Sequence, residues 1–282
     1  MTKNINEFLH RLSIIKLLLA VILLFGAVSM IVPFFWMIIT SFKYELDVYT
    51  IPIEWIPVRW NFQNYVRVWV ELDYIKYFKN SFVVTFFATV GQVILSSLAA
   101  YSLSKLNYPG RDKLFLGYIA TLMIPWYAIM IPQFMIIQNM GLYDTHFALI
   151  LLRLFSPFGV FLLRQFFIGI PNELIESARI DGCSEITIWW RIVLPLSKAA
   201  ISTLVILTSM QSWNDFTGPL IYLSTNEKFT IQLAIRMFRT QFRSEVAMTM
   251  AATVCSMIPI VALYSSAQRY FIEGIQFSGI KG

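Results

Sequence analysis

The sequence predicts an all-α integral membrane protein with six transmembrane helices. Three observations carry this. Hydrophobic residues fill 57% of the 282 positions and charged residues only 13%, too few charges to coat a soluble domain of this length. Six apolar stretches are each long enough to cross a bilayer as a helix, which takes about 20 residues: 17–42, 81–103, 114–139, 147–167, 199–223 and 246–268. Between the fourth and fifth lies a polar segment, 173–195, with the capping and turn residues of a folded helix–turn–helix.

The elements follow in order. The first span comes after a basic start, Lys3, Arg11 and Lys16. It is too long for a signal peptide and no small-residue cleavage site follows. The third span is interrupted by Pro125 and Pro132. The fourth carries Arg153, the fifth Asp215 and Pro219, and the sixth Pro259. These prolines predict kinked helices, tolerated where neighbouring helices or a water-lined path accept the freed carbonyls. An even number of spans puts both termini on one side, and the basic N-terminus favours the cytoplasm. Loop 104–113, with Lys105, Arg111 and Lys113, then falls inside. Loop 140–146, without Lys or Arg, falls outside. The bias is incomplete, because the outer loops carry Lys43, Arg59, Arg67, Lys76, Lys79, Lys228, Arg236, Arg239 and Arg243.

The expected organisation is a tail at 1–16, a first helix at 17–42 and an outer loop at 43–78. A core at 79–272 follows, with five helices and a loop at 171–195, then a tail at 273–282. Loop 43–78 holds Trp55, Trp60, Tyr65 and Trp69 among prolines and charges. It reads as an outer lid with a short surface helix near 62–70, or as a plain connector anchored at the lipid–water boundary.

Several function classes are disfavoured. The net charge is +6, but the basic residues are scattered and form no stripe for nucleic acid. Cys183 and Cys255 have no metal-ligand spacing and do not suggest a disulfide. His10 and His146 are too few for a histidine-rich metal site. There are no paired carboxylates, zinc-binding helix motif or Gly-x-Ser-x-Gly elbow. No Gly-x-x-x-x-Gly-Lys-Ser/Thr loop is present, so the chain is not itself an ATPase. A secondary transporter would need ion sites inside the bundle, yet Asp215 is the only acid deep in a span and no inverted repeat is visible.

In the polar segment, Pro171 and Asn172 break the fourth apolar run. Asn172 suits an N-cap, and Glu173 and Glu176 suit the positive end of a helix. Asp181-Gly182 ends that helix, Ser184 caps a second one with Glu185 in its first turn, and Pro195 begins the next span. Ser177 and Ala178 are small enough to let a partner approach closely, and Glu176 offers it a carboxylate. Ile188, Trp189 and Ile192 give the second helix an apolar face.

Glu176-Ser177-Ala178, then Gly182, then Ile192-Val193-Leu194-Pro195 resembles, in spacing and position, the "EAA" loop of ABC importer permeases, with Ser177 for the first alanine. Trp213-Asn214-Asp215-Phe216 with Gly218-Pro219-Leu220-Ile221, the stretch 229–233, and the tail 268–274 with 279–282 are similar to the MalG-like permeases of carbohydrate importers. The resemblance implies a type I importer permease fold with cytoplasmic coupling helices. It assigns ATPase coupling to Glu176, Ser177, Ala178, Asp181, Gly182, Ile192, Leu194 and Pro195. A further ATPase contact is implied for Gly279, Ile280, Lys281 and Gly282, since in a maltose importer of this branch the tail reaches between the ATPase subunits. The implied protein is not an enzyme and holds no cofactor; ATP and Mg belong to a partner ATPase. The implied partners are a second homologous permease, two ABC ATPase subunits, an extracytoplasmic solute-binding protein, an oligosaccharide and membrane lipid, with no nucleic acid. The implied location is the bacterial inner membrane, with both termini cytoplasmic.

For cargo, Trp213, Asn214 and Asp215 combine an aromatic face, an amide and a carboxylate within the fifth span. Asp215 either faces a path or is structural, because an intramembrane carboxylate is costly without a partner. Three roles are open to Arg153: snorkelling outward, pairing with Asp215, or meeting an anionic cargo. The last, with the basic outer loops, raises the expectation of an acidic oligosaccharide. Glycerol phosphate esters are the alternative cargo class.

Overall fold

The structure, a computed structural model, describes the backbone of residues 2–70, 73–241 and 245–279, and the side chains of 16–70, 73–236 and 245–266. Its α-helices are α1 (Thr2–Ser41), α2 (Gln63–Val70), α3 (Tyr74–Lys105), α4 (Arg111–Ala120), α5 (Trp126–Asn139), α6 (His146–Leu154), α7 (Pro157–Ile168), α8 (Asn172–Ile180), α9 (Glu185–Ile188), α10 (Leu194–Leu196), α11 (Lys198–Trp213), α12 (Thr217–Tyr222), α13 (Ile231–Gln241) and α14 (Val246–Gly279). Among the described residues three helices are long and apolar enough to cross a membrane unaided, and three bent helix pairs raise the number to six. The chain divides into two compact units, Met1–Leu72 with Phe238–Cys255, and Asp73–Met237 with Ser256–Gly282.

In the first unit, the membrane-length part of α1, Lys16–Ser41, buries almost nothing against the chain. Only its last residues, Ile39, Thr40 and Ser41, are buried, with Trp36 and Met37 half-buried before them. What covers them is the folded segment that follows. Asn64 donates from Nδ2 to the carbonyls of Ser41 and Lys43, both at 2.9 Å. The Tyr65 hydroxyl lies 2.7 Å from Ser41 Oγ, and the Phe42 ring packs against Trp60, Phe62 and Tyr65. The Lys43 ammonium is sheltered 4.6 Å over the Trp36 ring and donates to the Glu54 carbonyl. The Glu45 carboxylate accepts the N–H groups of Val246 and Ala247 at 2.8 and 3.0 Å, satisfying donors at the start of α14. Arg67 pairs with Glu245 at 2.9 Å. Segment 43–70 is thus a folded cap, with α2 lying where the sequence suggests a helix near 62–70.

The second unit is built on α3, which packs against α6, α7 and α11. Its buried face is rich in small residues, among them Ala88, Ser96, Ser97 and Ala100, which let helices approach closely where lipid offers no hydrophobic drive. One core cluster joins Tyr101, Phe167, Ile175, Ile188 and Val193 at the Lys105 end of α3. Another joins Val84, Ala148, Leu149, Tyr222 and Leu233 toward its opposite end.

The expected spans survive with three breaks. The third bends by 99° between Met123 and Trp126, at Pro125. The fourth is not continuous over 147–167. It bends by 41° between Leu154 and Pro157, because Ser156 caps α7 by accepting the Gly159 N–H at 3.0 Å and Pro157 occupies its first position. The fifth stops at Trp213 and resumes at Thr217 as α12. Both expected tails, 1–16 and 273–282, are helical over their described residues. Helix α1 already runs from Thr2, and α14 continues to Gly279; residues 280–282 lie outside the described ones.

The polar segment folds as helix, turn, helix. Gly182 has φ +81°, the left-handed conformation that a Cβ disfavours. Its N–H donates to the Arg179 carbonyl and that of Cys183 to the Ala178 carbonyl, both at 3.0 Å, the paired bonds of a Schellman stop. Ser184 then caps α9 by accepting the Thr187 N–H at 3.3 Å. Trp189–Val193 forms a π-helical turn just before Pro195, whose ring would clash with the carbonyl four residues back in a regular helix. An 84° bend at Ser197 separates this arm from α11.

The opposite end of this unit is closed by one aspartate. Asp144, at φ +59°, accepts the N–H groups of Ser224 and Thr225 at 2.9 and 3.1 Å, the Thr225 hydroxyl and the Lys228 ammonium at 2.9 Å. The Ser224 N–H, with the Thr225 hydroxyl and N–H and Lys228, holds the Asp144 carboxyl well below the usual carboxylate range. His146 Nε2 meets the Lys228 carbonyl at 2.8 Å, and Ser81 Oγ accepts the Ile231 N–H at 2.8 Å.

Two outcomes follow from these turns. A group with a depressed folded value stabilises above the unfolded carboxylate range, near about 4, and that contribution fades as pH falls toward the folded value. Asp144→Asn, which tolerates the positive φ, should therefore melt below the wild type at neutral pH, with the gap narrowing as pH drops under about 4; a gap unchanged to pH 3 contradicts this. Gly182→Ala meets open space, so its cost is backbone strain alone, roughly 1 kcal/mol, read as a lowered unfolding midpoint.

Candidate functional site

Two sites emerge from the second unit. The first is the knob formed by α8, its turn and α9. Its stiffness is built from charge. Arg179, from α8, pairs with Glu185, from α9, at 2.7 Å across the turn, and the Tyr101 hydroxyl of α3 donates to the same carboxylate. Lys105 donates to the Ile170 carbonyl and to Asn172 Oδ1, the latter at 2.8 Å. Asn172 is therefore not the N-cap that the sequence suggests. Pro171 occupies that position, and the Asn172 carboxamide ties the knob to the end of α3.

The sequence-predicted coupling residues divide by face. Glu176, Ser177, Asp181 and Gly182 are exposed, and Ser177 Oγ donates back to the Glu173 carbonyl at 2.8 Å. Ala178 points the other way, 7% exposed in the core cluster; it is small to fit its own bundle, not to admit a partner. Ile192 and Leu194 pack half-buried on that cluster while Pro195 stays exposed. The crown of the knob adds two residues that sequence reasoning passed over, Ile180 and Ile186, exposed by 86% and 71%. Their signal was there: isoleucines beside the Gly182 turn in an otherwise polar segment.

The second site is a cavity of about 400 Å³ whose walls include Trp126, Tyr127, Gln133, Arg153, Asp215 and Tyr222. Arg153 lies in the last turn of α6 and Asp215 in the break between α11 and α12, so two interrupted spans bring opposite charges together at 2.8 Å. Asp215 also accepts the Gly218 N–H at 3.1 Å. A Cβ on residue 218 would lie 2.5 Å from Asp215 Oδ2, so a glycine is needed to seat that carboxylate. The two side chains are 23% and 21% exposed. Breaking a fully buried pair costs roughly 3–5 kcal/mol; partial exposure reduces this, but the closed pair still outweighs a free guanidinium.

Of the four predicted path residues, Arg153 and Asp215 meet in this wall. Trp213 does not. It is 3% exposed, donates from Nε1 to the Ser256 carbonyl at 2.9 Å and packs edge-on against Phe78. Its ring is engaged in the core and presents no platform for a sugar. Asn214 ends α11 and its Oδ1 accepts from Gln232 at 3.3 Å. In their place stand Trp126, Gln133 and Tyr222. Gln133 Oε1 accepts the Trp126 indole N–H at 3.1 Å and the Tyr222 hydroxyl at 3.0 Å. The signal for this group was a polar Gln133 inside an apolar, proline-broken span. Among the described residues no group of His, Cys, Asp or Glu is placed to hold a metal.

Comparison with known proteins agrees with this architecture. A crystal structure of a bacterial ABC transporter involved in the import of the acidic polysaccharide alginate contains a chain that superposes with TM-score 0.82 at 26% identity, covering 92% of this chain and 96% of that one. The arabinooligosaccharides transport system permease protein AraQ of Halalkalibacterium halodurans is 32% identical over 95% of this chain and 98% of its own length. The sn-glycerol-3-phosphate transport system permease protein UgpE of Yersinia enterocolitica is 31% identical over 90% and 94%. Residues 92–276 match the family described as "Binding-protein-dependent transport system inner membrane component". A permease subunit of this kind performs no catalysis and carries no cofactor, ATP being bound by the ATPase. The chain, a multi-pass permease of the inner membrane, belongs to the family of binding-protein-dependent ABC transporter permeases.

Proposed function

We propose that this chain forms half of the translocation path of an ATP-driven oligosaccharide importer and couples that path to its ATPases through segment 171–195. The supporting observation is the knob: a folded, ion-paired elbow with an uncovered crown of Glu176, Ser177, Ile180 and Ile186. A second homologous permease completes the path. Two ABC ATPases grip the knobs and meet the tail Gly279–Gly282, and a solute-binding protein delivers cargo from outside. The termini and the knob face the cytoplasm in this arrangement. Two states of the ATPases bias two states of the bundle, and only a stiff connection transmits that bias.

The cargo class is supported by the company the chain keeps, since AraQ is an arabinooligosaccharide permease by name and the solved relative belongs to an alginate importer. The acidic-oligosaccharide reading rests on Arg153, the one cation in the described cavity wall. Acidic cargo, or a glycerol phosphate ester of the kind carried by the UgpE system, would have to draw Arg153 away from Asp215.

The test is uptake by the complete importer in proteoliposomes. Ile180→Asp and Ile186→Asp place charges on the knob's apolar crown and should remove most of the ATPase stimulation produced by loaded binding protein, with the unfolding midpoint of the permease unchanged. Stimulation at wild-type level would refute docking at this surface. For charge class, Arg153→Gln should depress uptake of acidic oligosaccharides well beyond that of neutral ones if the cargo is acidic; equal effects on both remove that reading.

A further inference from the structure

The cavity carries more chemistry than the charge pair. Both hydrogens that reach Gln133 Oε1 come from groups that must donate there, the indole N–H of Trp126 and the hydroxyl of Tyr222. An indole nitrogen can only donate, so the carboxamide is fixed with its oxygen toward Trp126 and its NH₂ the other way. That NH₂ has no acceptor among the described residues and is not sealed from solvent. Gln133 is thus a donor held in one orientation and left without a protein partner. Water can meet that NH₂ in the open cavity, and a ligand oxygen entering there can take its place.

The neighbouring pair sets the charge. With Arg153 and Asp215 at 2.8 Å, the wall has formal charges that cancel, yet it keeps spare guanidinium hydrogens and carboxylate lone pairs. Donors and acceptors side by side without net charge match hydroxyl groups, each of which gives one hydrogen and accepts others. A carboxylate or phosphate entering here adds a negative charge beside Asp215, a like-charge contact that a specific site avoids. Beside Trp126, at 5.2 Å between ring centroids, Tyr127 is 73% exposed and offers an apolar face. The volume of about 400 Å³ lies within the roughly 300–1,000 Å³ typical of small-molecule sites.

We propose that this cavity is a subsite for one neutral, hydroxyl-rich sugar ring, with the Gln133 amide as its fixed donor and Trp126 and Tyr222 as positioning residues that hold that amide. The proposal rests on the importer function above and states which chemistry of the cargo this chain reads. The complete importer with its binding protein, in proteoliposomes, is supplied with arabinotriose and maltotriose as neutral probes and with an alginate trisaccharide as the acidic one. The wild type takes up a neutral probe faster than the acidic one. Gln133→Leu raises the uptake KM for that neutral probe roughly tenfold, as expected for losing one well-placed hydrogen bond. Tyr222→Phe and Trp126→Phe raise it by less, and in all three the change falls on KM more than on the maximal rate. A merely structural role would instead lower the maximal rate and the unfolding midpoint together. An unchanged KM in Gln133→Leu, or preference for the acidic probe, overturns the subsite while leaving the importer intact. Failure of the wild type to take up any of the three with ATP overturns both.

Discussion

The second unit depends on the ion pair between Arg153 and Asp215. Of its three broken membrane segments, one is interrupted at 155–156 and one at Asn214 to Phe216, and each break frees backbone groups in a setting poor in water. The pair joins those breaks to each other, 2.8 Å apart. Gly218 gives its N–H to the same carboxylate, so the chain that resumes as α12 is positioned from the charge outward. Without the pair, an unpartnered charge would remain at each break.

From α12 the constraint spreads in two directions through Tyr222. Its carbonyl accepts the Asp144 N–H at 2.9 Å, linking it to the clasp that gathers residues 224–228. Its hydroxyl reaches Gln133, linking it to the proline-broken third span. The end that carries the knob is held separately, by Lys105 on the Ile170 carbonyl and Asn172, and by Tyr101 on Glu185. Helix α3 contributes to both ends, with Ser81 near one and Tyr101 and Lys105 near the other. A transport protein needs parts that keep their shape while others move, and these polar clasps mark the parts that keep it.

Much of this was legible in the sequence, because hydrophobic runs and turn chemistry are local properties. The six apolar stretches and the Gly182 turn needed no tertiary information. The break at 155–156 was missed: Ser156 followed by Pro157 is a helix start, but the apolar residues around it read as one continuous span. What was not legible depends on which neighbour arrives. Trp213 reads as a sugar platform until Phe78 and the Ser256 carbonyl are found on it. Ala178 reads as a docking residue until the core cluster closes over it. Asn172 reads as a cap until Lys105 takes its oxygen. A side chain's type announces what it can do; only its surroundings decide which option is used.

The π-helical turn at Trp189–Val193 has a mechanical consequence. An extra residue in one turn offsets the angular phase of everything beyond it by about 100°, since a helix advances 3.6 residues per revolution. Pro195 forbids that offset from relaxing into a regular helix, because its ring would strike the Arg191 carbonyl. Rotation applied at α9 therefore reaches α10 with a set phase lag, as a keyed shaft passes torque without slipping, up to the 84° bend at Ser197.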